Sequence, residues 1–267
     1  MVGLVGRQRL NQCMHECGLA STSVRHRLYD AVPARPPDES LSPAVEIWCS
    51  STEAVSLRAR RDGLNMDPAD ETPEEGICIG SSYINGDKVK VDKPFDLSGK
   101  NKMSLQDLQD LHVKLFRPDL EEAQPGLGLD ESDRLWLIEI MAEYPSQSAN
   151  PIYDVKKYPD EYGKFFLPGI TRVWDKAAVR VYNKLGRAYG FSIDNSYVMN
   201  KETGEAFFLT ACIYTNSNGI VNDDKYEYDL ADDFLENIAE VITRAISDEL
   251  KSNVLPKDLA LSIFNRV

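Results

Sequence analysis

Between Ala178 and Leu250 the hydrophobic period of the chain changes from two to 3.6, and this change restricts the fold more than any other feature. Val179 and Val181 alternate with polar neighbours, and residues 189–198 and 206–215 continue the pattern, which is that of strands with one buried face. Asn200, Lys201, Glu202, Thr203 and Gly204 supply turn chemistry between the last two. After Asp229 the spacing becomes helical. Leu230, Phe234, Leu235, Ile238, Val241, Ile242, Ala245, Ile246 and Leu250 form the apolar stripe of one long amphipathic helix. About three sequential antiparallel strands, followed by a helix that covers them, predict an α+β architecture. No internal repeat is visible.

The sheet and its helix occupy residues 171–252, with 253–267 as a tail, and the preceding 1–170 read as a helical subdomain carrying an inserted segment at about 40–100. Residues 7–17 predict a short helix with Leu10, Cys13, Met14 and Cys17 on one face and Gly18 placed to end it. Prolines are dense at 32–37. Residues 45–49 have strand character, and the acidic, proline-containing run 67–75 predicts a mobile surface stretch. Residues 77–84 and 88–91 predict a hairpin about Asn85 and Gly86, a pair that supplies the positive φ angles of a tight turn. Ser104 is placed to cap a helix through Leu105, Leu108, His112 and Leu115, with Asp107 complementing its dipole. Asp130 and Asp133 open a further helix. Its Leu135, Trp136, Leu137, Ile138 and Met141 make it apolar on nearly every side and so predict burial, and Pro145 ends it. A loop rich in Tyr and Pro, 146–168, leads to the sheet.

Composition excludes several classes of function. Lys and Arg number 30 against 43 Asp and Glu, a net charge of −13, so the overall field repels phosphate backbones and anionic lipid. A general nucleic-acid binder is excluded on that ground. Hydrophobic residues make up 42%, enough for a core, and no apolar run approaches the roughly 20 residues of a membrane span, which predicts a soluble chain. The first residues lack an export-signal pattern, and the sequence assigns no compartment. Five scattered cysteines, Cys13, Cys17, Cys49, Cys78 and Cys212, read as reduced structural thiols. His15 lies between Cys13 and Cys17, but on a helix it points away from both, so no metal site is assigned.

The segment 182–194 holds the candidate site residues Lys184, Gly186 and Arg187. Read alone, Lys184 and Arg187 are solvated edge-strand charges that discourage sheet-to-sheet pairing. Lys184-Leu185-Gly186, followed by Ala188-Tyr189-Gly190 and Asp194, also resembles the Lys-Thr-Gly strand of the serine β-lactamase and penicillin-binding-protein family, with Leu185 where Thr is usual. The resemblance runs from the first residues to about Leu250. Residues 19–28, ending His26-Arg27-Leu28, are similar to the stretch entering the Ω-loop of class A β-lactamases, and 100–105 to the loop and helix start after it. Residues 145–151, Tyr158-Pro159-Asp160 and 222–227 look like stretches common in a subgroup of serine hydrolases related to that family.

That resemblance implies a partial β-lactamase-like fold, amide hydrolysis of a β-lactam or peptidoglycan-like substrate through an acyl-enzyme, and no cofactor. It gives Lys184 the substrate carboxylate, Gly186 a backbone flat enough for substrate to lie along, and Arg187 an assisting role in anion binding. The family nucleophile sits in Ser-x-x-Lys, where the amine eases removal of the hydroxyl proton. This sequence contains no Ser-x-x-Lys, and Ser148-Ala149-Asn150 matches the family's second element in shape only. No catalytic residue is therefore identified. The resemblance implies that both motifs lie upstream of Met1, so that the chain is truncated at its N-terminus. The deacylating Glu expected just after Leu28 is replaced by Tyr29-Asp30-Ala31-Val32, with Asp38 and Glu39 the nearest carboxylates, and the base is unassigned. The alternative is a catalytically inactive binding or interaction protein built on the same sheet.

The remaining polar clusters read as structural. The arginines beside His26 brace their loop through carboxylates. His112 on a leucine-rich helix packs rather than catalyses. Asp223, Asp224 and Glu227 lack the spacing and glycine turn of a calcium loop and form a solvated turn.

Overall fold

The computed structural model describes residues 7–25, 45–48, 54–57, 77–120 and 126–252. The acidic run 67–75, the proline-dense run 32–37, His26, Asp38, Glu39, Cys49 and the tail 253–267 lie outside the described residues. The chain divides into two compact units, Met1–Cys78 with Asp96–Asp107, and Ile79–Phe95 with Leu108–Val267.

In the first unit, helix α1 (Arg7–Glu16) ends as predicted at Gly18. The Gly18 N–H donates to the His15 carbonyl and the Leu19 N–H to the Met14 carbonyl, which satisfies two of the last carbonyls and turns Leu19 into a fully buried position. Strands β1 (Val45–Trp48) and β2 (Ala54–Leu57) pair antiparallel, Val45 opposite Leu57. The second of these was not legible in the sequence. Asp107 does more than complement a dipole: it is buried and accepts from the Ser21 N–H and the Thr22 hydroxyl, each at 2.8 Å, while its own N–H donates to the capping Ser104 hydroxyl.

The second unit carries the main sheet. Strands β3 (Cys78–Ile79), β4 (Ser82–Ile84), β5 (Lys90–Val91) and β6 (Phe95–Asp96) lie in the predicted hairpin region. The β4–β5 pairing is antiparallel, but its connection is a five-residue loop rather than a two-residue Asn-Gly turn. The Asn85 side-chain oxygen accepts from the Asp87 and Val89 N–H groups, and the positive φ falls at Lys88. Short strand β10 (Ile220–Val221) adds parallel to β4.

Helix α2 (Leu105–Phe116) is followed by α3 (Glu131–Ala142), which starts where expected because the Asp130 carboxylate accepts from the Asp133 N–H at 2.9 Å. The expected burial of α3 is corrected: no residue of it is buried, and Trp136 is 61% exposed. A helix apolar all round has no single face to bury, so its placement is set by what its ends are tied to. A short helix α4 (Leu167–Thr171) leads into the sheet β7 (Val179–Ala188), β8 (Phe191–Asn200) and β9 (Ala206–Tyr214), in that order and antiparallel, and α5 (Tyr228–Ser252) closes the unit. This is the predicted α+β arrangement. The strand bounds shift, since Tyr189 and Gly190 are the β7–β8 turn rather than the start of β8. Their φ angles of 56° and 86° are those of the two-residue turn whose twist matches a hairpin.

Alternation sends Val179 and Val181 of β7, Val198 of β8, and Phe207 and Ala211 of β9 to one face, where they pack with Phe166, Leu167, Ile170 and Trp174 and with Leu235 and Ala239 of α5. The buried positions of α5 are Ala231, Leu235, Ala239, Thr243 and Ser247, with Ile238, Ile242 and Ile246 half-buried against the core, while Leu230, Phe234 and Val241 are exposed. Small residues let the helices approach closely. At Gly169 a Cβ would stand 1.9 Å from the Glu236 carbonyl oxygen, so only glycine fits between α4 and α5.

Candidate functional site

Strand β7 carries the predicted site residues, and alternation sorts them. Lys184 and Gly186 project from the face away from α5, opposite Asn195 and Ile193, while Arg187 projects from the core-side face opposite Ser192. The first two are brought together and the third is not.

Lys184 is exposed, and its ammonium donates to the Leu185 carbonyl at 2.6 Å. Its cross-strand neighbours Asn195 and Thr210 are tied to each other, the Thr210 hydroxyl donating to Asn195 Oδ1 at 2.5 Å, and Asn195 Nδ2 donates to the Leu108 carbonyl of α2. This rung is rigid and leaves Lys184 as its exposed charge. A Cβ on Gly186 would lie 3.2 Å from Ile193 Cγ2, so the Ile193 side chain takes up the space that a larger residue would need.

Arg187 is a bracket. Its guanidinium lies between the rings of Phe165, at 4.3 Å, and Tyr228, at 4.7 Å, pairs with Asp232 of α5, and donates through Nε to the Ser192 hydroxyl at 3.0 Å. These contacts use both the charge and the faces of the guanidinium.

The most perturbed titratable groups, Lys164 and His112, lie off the strand that carries the predicted residues, and sequence reasoning missed the first. Lys164 is 2% exposed. Its ammonium donates all three protons, to the Met141 carbonyl at the end of α3 (2.9 Å), to the Val181 carbonyl (2.7 Å) and to Asn183 Oδ1 (2.9 Å). Asn183 Nδ2 passes the link to Asp194 Oδ1 at 3.0 Å and to the Gly163 carbonyl. Asp194 is fully buried and also accepts from the Phe165 N–H and the Ser196 hydroxyl. Burial lowers the Lys164 pKa to about 8, with Asp194 and Asp160 opposing the shift, and burial raises that of Asp194 against its hydrogen bonds. With every proton engaged, Lys164 is a clamp joining α3, β7 and the 160–166 segment, and it caps the C-terminal carbonyls of α3. One signal was available in sequence: Asn183 and Asp194 are polar at positions where the alternation points inward.

His112 is buried at 2% exposure, with neither ring nitrogen hydrogen-bonded, and packs edge-on against Phe116 at 5.5 Å. Burial pushes its pKa down to about 4. Phe116 in turn meets Tyr182 and Tyr197, so this face of the sheet is an aromatic layer under α2. Burial raises the Cys212 thiol, and among the described residues Cys13, Cys17, Cys78 and Cys212 form no disulfide. His15 faces the Thr22 carbonyl at 3.2 Å. Glu227 accepts from the Ser217 N–H and hydroxyl, and Asp223 from Asn218 and the Lys225 N–H, the contacts of a closed turn.

Among the described residues no helix is long and apolar enough to cross a membrane. Comparison of the chain with protein-family models, with curated proteins and with solved structures gives no match.

Proposed function

We propose that the chain is a β-lactamase-related binding module that holds an amide substrate bearing a carboxylate, a β-lactam or a peptidoglycan-like peptide, along β7. The observation that supports this reading is that Lys184 and Gly186 share one face of β7, with Lys184 exposed and Gly186 itself carrying no side chain. The ammonium exchanges its bond to the Leu185 carbonyl for the ligand carboxylate, a charge-assisted contact stronger than the one it gives up. Gly186 lets the ligand amide lie against the strand. Arg187, committed to Asp232 and two rings, holds β7 to α5 rather than the ligand.

The related reading is a serine hydrolase acting through an acyl-enzyme, for which the sequence supplies no Ser-x-x-Lys. Titration with benzylpenicillin, with intact-mass measurement of the protein afterwards, separates the two. The binding reading expects saturable, reversible binding, no covalent adduct, and affinity lowered about tenfold by Lys184→Ala, the size of one charge-assisted contact. A stable adduct on a serine would establish the hydrolase reading. Binding unchanged in Lys184→Ala would remove β7 from consideration.

A further inference from the structure

The poorly buried helix α3, the residues after it and the start of β7 border an open cleft of about 340 Å³ lined by Trp136, Glu139, Ile140, Ala142, Glu143, Gln147 and Arg180. Three of its properties are unusual together. Trp136 and Ile140, one helical turn apart, present 61% and 49% of their surface rather than packing. Arg180 forms no ion pair among the described residues, although two glutamates line the same cleft. Its guanidinium donates to the Val179 carbonyl and lies 5.9 Å from the Tyr144 ring. Tyr144 is 4% exposed with a buried hydroxyl, and its neighbours Glu143 and Gln147 line the cleft. Burial raises the phenol, and the Arg180 charge is the largest influence opposing that rise, which puts hydroxyl and guanidinium within reach of each other. Gln147 uses its carbonyl oxygen to accept from the Tyr144 N–H at 3.2 Å, so its amide protons are left for a ligand.

We propose that this cleft binds a small zwitterion with an apolar side chain, an amino acid or short peptide with free termini. The carboxylate is received by Arg180, with the Gln147 amide as a further donor. The apolar body lies on Trp136 and Ile140, and the ammonium meets Glu139 and Glu143. The site is distinct from the Lys184–Gly186 segment: Arg180 lies four residues earlier, about 13 Å along the strand at the usual rise. It does not depend on the reading of that segment.

The test is calorimetry of the full chain with L-leucyl-L-leucine, its C-terminal amide and its N-acetyl derivative, with tryptophan fluorescence read in parallel on the wild type and Trp136→Phe. The dipeptide binds and changes the fluorescence of Trp136. The amide binds about tenfold more weakly through loss of the Arg180 contact, and the acetylated form about threefold, because its partners are at the open rim. Arg180→Gln and the exposed-site variant Trp136→Ala each weaken binding about tenfold with thermal melts unchanged. Absence of binding at about 10 mM, a dissociation constant too weak to matter by the affinity scale, overturns the proposal. So does binding that neither substitution alters, or equal binding of all three peptides.

Discussion

The two faces of the β7–β8–β9 sheet each bury a basic side chain, and they treat it in opposite ways. On the face toward α5, Lys164 has three acceptors for three protons and is linked through Asn183 to the carboxylate of Asp194. On the other face, His112 of α2 has no partner for either ring nitrogen. Burial lowers both pKa values by a similar amount, and Lys164 stays charged at neutral pH while His112 does not because the ammonium starts from 10.5 and the imidazole from 6.5. Burial alone therefore says little about what an ionisable group does. The partners decide whether it is a clamp or a weak point.

Breaking the satisfied side should cost most. Lys164→Ala strands the Met141 and Val181 carbonyls, the Asn183 amide oxygen and the Asp194 charge, and should lower unfolding free energy by about 3–5 kcal/mol in urea titrations. A loss under about 1 kcal/mol would mean that water replaces the ammonium. The pH dependence sharpens the same point. The Lys164 value is about 8 folded against 10.5 unfolded, so the unfolded chain binds the extra proton between them, and this group's contribution to stability rises with pH from 8 to 10.5. Asp194, raised on folding, contributes in the opposite sense: its share is present at low pH and declines as pH rises through the folded value.

The unsatisfied side predicts a smaller effect of reversed sign. His112 is lowered from 6.5 to about 4, so its contribution is complete above pH 6.5 and is lost as pH falls toward 4, by about 3 kcal/mol at the limit. His112→Phe should raise stability by about 1 kcal/mol at pH 7, by removing orphaned polar atoms, and by more at pH 5. Equal gains at both pH values would show that the imidazole finds a partner in solution. Smallest is the bracket at the end of β7. Arg187→Lys keeps the charge toward Asp232 but loses the stacking on Phe165 and Tyr228, and thermal melts should show a loss of about 0.5–1 kcal/mol.

Legibility in the sequence followed the source of each feature. The strands β7, β8 and β9 and the helix α5 were readable because a buried face imposes its period on the residues themselves. The caps at Asp130 and Ser104 were readable because they act over three residues. The β4–β5 loop was misjudged because Asn85 bonds its own backbone in a wider turn that its pairing with Gly86 does not announce. The α5 stripe was placed in part too broadly: Leu235, Ile238, Ile242 and Ile246 pack on the core as expected, whereas Leu230, Phe234 and Val241, equally apolar, are exposed. At the candidate site, the placement of Lys184 with Gly186 and apart from Arg187 follows from alternation alone, whereas the Asp232 pairing does not.

The sequence by itself determined the α+β class, the order of the sheet and helix, and which side chains of β7 share a face, because these depend on spacings within one element. The tertiary structure decided what those side chains meet. Lys164 and Asp194 are 30 positions apart in numbering and become one network only when β8 folds back on β7 beside the 160–166 segment. Trp136 is exposed because the ends of α3 are tied to Asp130 and to Lys164 while its apolar surface exceeds what β7 covers. Contacts between residues distant along the chain are fixed by packing, and no local pattern records them.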